Sequence, residues 1–187
     1  MKFIVAITGS SGVIYGIRLL EELKKEKNES ILIISKPGKE LIKFETNYKV
    51  NDVINLANIS YLEDDFNSSI VSGSFLVDGM IICPCSMKTI SAIANGYSSN
   101  IITRAADCCL KENRPLIVVF RETPLSLIHL KNLVKLKESG AIILPAAPGF
   151  YHQPNKIDDQ INFIIGKILD QLKIKNTLYK RWSGMSE

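Results

Sequence analysis

The sequence predicts an α/β fold, a three-layer arrangement of a parallel sheet with helices on both faces. Three observations predict it. Apolar runs such as Leu116-Ile117-Val118-Val119-Phe120 carry no polar alternation, so they belong to strands buried on both faces. These runs alternate with segments of helical spacing, the pattern of βαβ units. The runs end in small, polar or charged residues, and open α/β sheets bind ligands outside the carboxyl ends of their strands.

The elements follow in order. Lys2 to Thr8 is a short β-branched strand. Val13 to Lys27 is a helix, with Ile14, Ile17, Leu20 and Leu23 on one side and charges on the other. Ser30 to Ile34 is the second strand, and a helix runs from Pro37 to Phe44 with proline at a permitted early position. Residues 46 to 75 are rich in Asn, Asp and Ser and are expected to hold loops and short elements. Gly79 to Cys83 is a strand, and Thr89 to Asn95 and Ile101 to Lys111 are helical. After the run at Leu116, a helix spans Leu125 to Ser139, closed by Gly140, and Ala141 to Leu144 is a strand. Residues 145 to 154 form a loop stiffened by Pro145, Pro148 and Pro154. Ile157 to Leu172 is an amphipathic helix opened by Asp158 and Asp159, which suit its positive N-terminal dipole. The crossovers are expected to be right-handed, giving a Rossmann-like (flavodoxin-like) sheet. Residues 1–175 read as a single domain and 176–187 as a C-terminal tail.

Bulk properties narrow the function. The 187 residues suffice for one sizeable core, and 46% hydrophobic content is ordinary for a globular chain. The net charge of +4 is mild and its lysines and arginines are scattered, so a nucleic-acid partner is not expected. No signal peptide is visible, and no apolar run approaches the ~18 residues of a membrane span, so a cytoplasmic location is expected. Cys83, Cys85, Cys108 and Cys109 form no C-x-x-C pair, so they read as reduced core thiols rather than zinc ligands.

The strand ends carry the chemistry. The first ends in Thr8-Gly9-Ser10-Ser11-Gly12, whose small residues let backbone amides approach a phosphate at a helix start. The same string suits a tight strand-to-helix turn, and it also fits a short-chain dehydrogenase. Against a nicotinamide cofactor, the second strand ends in Ser35-Lys36 rather than an acidic residue, and no tyrosine has a lysine four residues on. The strand at 79–83 leads into Cys83-Pro84-Cys85-Ser86-Met87-Lys88-Thr89, a helix start with hydroxyls and a cation. A nucleophilic Cys85 has no partner base nearby. Arg121-Glu122 at the end of the 116–120 strand supplies an anion clamp and a proton-transfer group. Arg104, Asp107 and Lys111 share one helix face, which also suits a surface salt-bridge ladder. His129 lies in an apolar helix and reads as a packing or interface residue, whereas Tyr151 and His152 lie in the stiff loop.

Taken together, these blocks resemble the flavin prenyltransferase (UbiX) family, whose bacterial members were long labelled aromatic-acid or 3-polyprenyl-4-hydroxybenzoate decarboxylases. The resemblance runs nearly end to end, from Ile7-Thr8-Gly9-Ser10-Ser11-Gly12 to Arg181-Trp182. It is carried most specifically by residues 83–89, 102–107, 121–126 and 148–154. It implies a metal-independent enzyme that joins the allyl group of dimethylallyl monophosphate to N5 and C6 of reduced FMN. The product, prenylated FMN, would serve a UbiD-type decarboxylase. The resemblance also implies a homo-oligomer, typically a dodecamer, with sites between subunits. By family pattern Gly9, Ser10, Ser11, Ser35, Ser86, Met87, Lys88, Thr89 and Arg104 hold FMN. Lys111, Arg121, Glu122, Tyr151 and Lys167 surround the prenyl phosphate, with Arg121 and Glu122 from a neighbouring chain. Glu122, Arg121, Lys111, Ser11 and Glu45 are the expected catalytic set. Lys167 stands where many relatives carry arginine, which loses the bidentate fork, and Ser10 replaces a common alanine. Nothing is carried over to residues 46–75. A flavin-dependent cysteine decarboxylase would need an early histidine, yet the first here is His129. A non-catalytic FMN-binding module would not need Lys111, Arg121, Glu122 and Tyr151.

Overall fold

The structure, a computed structural model, describes residues 1–184. It divides into two compact units, Met1–Pro145 and a second from Ala146 onward. The first unit holds β1 (Lys2–Ile7), α1 (Val13–Lys25), β2 (Glu29–Ile34), α2 (Lys36–Glu45), α3 (Val50–Ile54) and β3 (Ile59–Tyr61). A 3-10 turn at Ser69–Val71 precedes β4 (Gly79–Ile82), α4 (Met87–Ala94), α5 (Ile101–Lys111), β5 (Leu116–Phe120), α6 (Leu127–Glu138) and β6 (Ile142–Pro145). The second unit is built on α7 (Ile157–Gln171).

All neighbouring strands pair in parallel, in the order β3-β2-β1-β4-β5-β6. This is the doubly wound order, and its direction reverses between β1 and β4. The strands are buried because both faces are covered. Ile4, Ala6, Ile31, Ile33, Met80, Ile82 and Val118 pack on one face with Ile90, Ile93, Ala105, Cys109, Leu133 and Leu136 of α4, α5 and α6. Phe3, Val5, Ile7, Leu32 and Ile81, one residue out of step, belong to the other face and are fully or almost fully buried. Among the described residues, no helix is long and apolar enough to cross a membrane.

Two departures from the sequence expectation have local causes. Helix α6 begins at Leu127 rather than Leu125 because the Ser126 hydroxyl accepts the His129 N–H at 3.2 Å. The His129 ring returns the contact, its Nδ1 accepting the Ser126 N–H at 3.3 Å, so His129 is a capping residue. Strand β3 escapes a hydrophobic reading because it is a three-residue edge strand with Ile59 and Ser60 exposed.

Gly16 sets the approach of α1 to the sheet. A Cβ there would overlap the Cys83 carbonyl and stand 2.7 Å from Ile7 Cγ1. Gly16→Ala is therefore expected to destabilise the fold by about 1–3 kcal/mol through overpacking, read as a lowered denaturation midpoint with an unchanged denaturant slope.

Candidate functional site

The loops after β1 and β4 meet where the strand order reverses, and Thr8 joins them. Its hydroxyl donates to the Pro84 carbonyl at 2.8 Å and accepts the Ser86 N–H at 2.8 Å. Its own N–H donates to the same carbonyl at 3.1 Å, and Cys85 N–H reaches Val119 of β5 at 2.6 Å. Thr8 is 2% exposed, so these bonds are made out of water and each partner depends on them.

A cleft of about 310 Å³ opens beside this junction, at the small end of the usual range for ligand sites, roughly 300–1,000 Å³. Thr8, Gly9, Ser35, Glu63, Ser86, Met87, Lys88, Thr89, Asn100 and Glu122 line it. Several helices start around it, and their free amides decide where an anion can sit. At α1 the carboxylate of Glu45 takes the N–H of Gly12 at 2.8 Å and of Val13 at 3.4 Å. At α2 the Lys36 N–H goes to Glu63 at 2.8 Å, the Gly38 N–H to the Ser35 hydroxyl at 3.1 Å and the Lys39 N–H to the Ser35 carbonyl at 2.9 Å. At α5 Asn100 takes the Thr103 N–H, and the Glu63 carbonyl takes the Ile101 N–H. Helix α4 differs. Ser86 Oγ accepts the Thr89 N–H at 3.3 Å, which leaves Met87 and Lys88 N–H without an intrahelical acceptor. No acidic residue lies in that first turn. Lys88 there is exposed, and a cation at a helix N-terminus opposes the dipole unless an anion joins it. The α4 start thus presents the cleft with free amides, hydroxyls and a cation, a donor set suited to an anion.

The expected FMN residues divide accordingly. Gly9, Ser35, Ser86, Met87, Lys88 and Thr89 line the cleft. Gly9 serves packing, since a Cβ there would overlap the Pro37 ring. Ser10 and Ser11 instead meet the end of β5: Ser10 Oγ donates to the Arg121 carbonyl and Arg121 Nε donates to the Ser11 carbonyl, both at 3.1 Å. Glu122 lines the same chain's cleft and is exposed. Arg104 lies one turn beyond Asn100, but its guanidinium is held by Asp107 at 2.7 Å and by the Val71 carbonyl at 3.0 Å. Lys111 pairs with Glu112 at 3.7 Å, so only the first part of the expected ladder forms. It ends an 11-residue helix that leads back to the start of β5. It therefore stands about 15 Å along the helix axis from the cleft.

Glu63 and Asn100 were not anticipated. Asn100 was legible as a cap three residues before Thr103. Glu63 lies in the Asn- and Asp-rich stretch and has no sequence signal. It also changes the cofactor argument, because the acid absent from the end of β2 in sequence is supplied there in space.

Cys85 is fully buried and burial pushes its thiol well up, as for Cys83, so it is no thiolate nucleophile. Among the described residues, no group of His, Cys, Asp or Glu is placed to hold a metal ion. In the second unit, the Tyr151 ring meets His152, Phe163 and Trp182 edge-on at 5.7–5.8 Å. Lys167 Nζ lies 5.9 Å from the Tyr179 ring centroid. Asp170 accepts from Arg181 and Asn176 and from the Tyr179 hydroxyl, which ties the chain after α7 back to that helix.

Comparison with known proteins identifies the lineage. The Flavoprotein family matches residues 1–170. The flavin prenyltransferase UbiX of Methanocaldococcus jannaschii is 51% identical over 97% of this chain and 98% of its own length. The chain belongs to the flavin prenyltransferase (UbiX) family. Among solved family structures, AnUbiX (PadA1) in complex with FMN and dimethylallyl pyrophosphate superposes with TM-score 0.97 at 40% identity, covering 99% of this chain and 98% of that one. A dodecameric FMN-dependent UbiX-like decarboxylase from Escherichia coli O157:H7 gives TM-score 0.96 at 42% identity, covering 98% and 100%. The α4 amides, the Ser86 and Thr89 hydroxyls and Lys88 make a donor set that fits the phosphate of the flavin mononucleotide this family binds.

Asp170 supplies a pH test. Burial raises its pKa, but hydrogen bonds from Arg181, Tyr179 and Asn176 outweigh that and hold it at about 2. A folded-state value below the unfolded one, about 3.9, gives stability that is present above pH 4 and lost as pH falls towards 2. Denaturant titrations at pH 5 and pH 2.5 should show this loss in the native protein and a smaller one in Asp170→Asn.

Proposed function

We infer that this chain transfers the dimethylallyl group of dimethylallyl monophosphate to N5 and C6 of reduced FMN. The prenylated FMN then passes to a UbiD-type decarboxylase. The α4 start carries the inference: a phosphate-accepting helix terminus in the cleft of a chain that belongs to the flavin prenyltransferases. When bound, reduced FMN supplies the electron-rich nitrogen and carbon that take up the allyl group, so no protein nucleophile is needed.

The chain's own residues handle charge and protons. Breaking an allylic C–O bond builds negative charge on the departing phosphate. Fixed cations there act more strongly in the transition state than in the ground state. Arg121 and Lys111 have that role; Tyr151 and Lys167 are assigned to the prenyl phosphate by the family resemblance alone. Glu122 exchanges a proton with the phosphate. Glu45, fixed by the amides of Gly12 and Val13 beside Ser11, takes up the proton lost from the flavin carbon. Arg104 holds FMN by family pattern, giving up its bond to Asp107 to do so.

One chain does not bring Lys111 and Arg121 together. Lys111 follows α5 back to the start of β5, whereas Arg121 follows the end of that five-residue strand. A site using both draws them from different copies, which favours the homo-oligomer, a dodecamer by resemblance. A cytoplasmic location agrees with four free, buried cysteines.

The test is an anaerobic incubation with reduced FMN and dimethylallyl monophosphate, followed by mass spectrometry of the released flavin. The expected result is a gain of one prenyl unit, reduced roughly 100-fold or more in Arg121→Ala and in Glu122→Gln. Mixed oligomers of Lys111→Ala and Arg121→Ala subunits should recover part of the activity. Unmodified FMN with both the monophosphate and the diphosphate would overturn the inference.

A further inference from the structure

The carboxylate of Glu63 stands at the end of β2, although it comes from the loop after β3. Its Oε1 accepts the Lys36 N–H at 2.8 Å and its Oε2 accepts from Asn100 Nδ2 at 3.3 Å. Its own carbonyl accepts the Ile101 N–H at 2.9 Å. The residue is therefore fixed at both its backbone and its side chain. It is half-buried and lines the cleft together with Ser35, Ser86 and Asn100.

An ionised carboxylate offers about four lone-pair sites and donates nothing. Lys36 and Asn100 occupy part of that capacity, and the rest is left to the cleft that Glu63 lines. The group it meets must be a hydrogen-bond donor, and it cannot be a phosphate, which Glu63 repels. Doubly wound sheets place a carboxylate at the end of their second strand to bind the hydroxyls of a ribose. Here the same spot is filled from a different loop. A flavin mononucleotide carries donors at the ring N3–H and at the hydroxyls of its sugar-alcohol chain, and the hydroxyls are the ones next to a phosphate seated at the α4 start.

We propose that Glu63 is a cofactor-binding and positioning residue that accepts a hydroxyl of the flavin's ribityl chain. The proposal rests on the flavin-binding function inferred above. It makes Glu63 a determinant of which flavins bind, separate from the phosphate donors of α4 and from the groups around the prenyl phosphate.

Binding measured by quenching of flavin fluorescence tests it without catalysis. The probes are FMN, riboflavin, which lacks the phosphate, and lumiflavin, which lacks the whole side chain. Glu63→Ala should weaken FMN and riboflavin alike, roughly tenfold or more, because a hydrogen bond to a charged group is lost. Lumiflavin should change less than about twofold, since the ring does not reach the carboxylate. Glu63→Gln, whose amide oxygen still accepts the Lys36 N–H, should preserve the fold and show the same pattern more weakly. Equal weakening of all three flavins, in the variant that folds, would make Glu63 a scaffold residue and overturn the proposal. So would unchanged riboflavin affinity in both variants. A native protein that binds none of the three would instead overturn the flavin-binding function on which the proposal stands.

Discussion

The hydroxyl of Thr8 is the constraint on which the site depends. It is buried, donates to Pro84 and accepts from Ser86, so it fixes the β4 loop against the β1 loop at the place where the sheet changes direction. Removing one partner of such a buried pair costs about 1–3 kcal/mol because the other group is left unpaired and out of water. The more important effect is geometric. Ser86 is the N-cap of α4, so the Thr8 bond to its amide sets where the first turn of that helix opens. The backbone of β1, the start of α4 and the floor of the cleft therefore form one rigid assembly.

Around this assembly the electrostatics are selective rather than generally positive. Glu45 closes the start of α1, and Glu63 closes the start of α2. Helix α4 keeps unpaired amides, hydroxyls and a lysine that its own dipole disfavours. The cleft consequently presents free donors at the start of α4 and a carboxylate acceptor at Glu63. The remaining cations belong to a different task. Arg121 is braced on the carbonyl of Ser11, and Lys111 stands at the far end of α5.

Much of the fold was legible because its strands are apolar throughout and its helices keep a regular buried stripe. The run at 116–120 was read to its exact bounds, since charge and proline follow at once. The edge strand Ile59–Tyr61 was not legible, because an edge strand at the rim of the sheet needs little hydrophobicity and stabilises itself through backbone pairing with β2. In the site, the α4 block was legible because capping hydroxyls and a lysine recur at fixed offsets. At the end of the glycine-rich β1 loop, Glu45 accepts the Gly12 and Val13 amides, a contact spanning more than thirty positions that no local pattern reveals. Glu63 was invisible for the same reason: its partners, Lys36 and Asn100, lie on either side of it at long range.

The central claim is that the flavin's phosphate lies at the start of α4. The affinities of FMN and riboflavin for Lys88→Glu test it most directly. Lys88 is exposed and, among the described residues, bonds to none of its neighbours, so the change leaves the fold intact. The account predicts that FMN binding weakens by roughly tenfold or more while riboflavin binding stays within about twofold. Equal affinities of native and variant protein for FMN would contradict it and place the phosphate at another helix start.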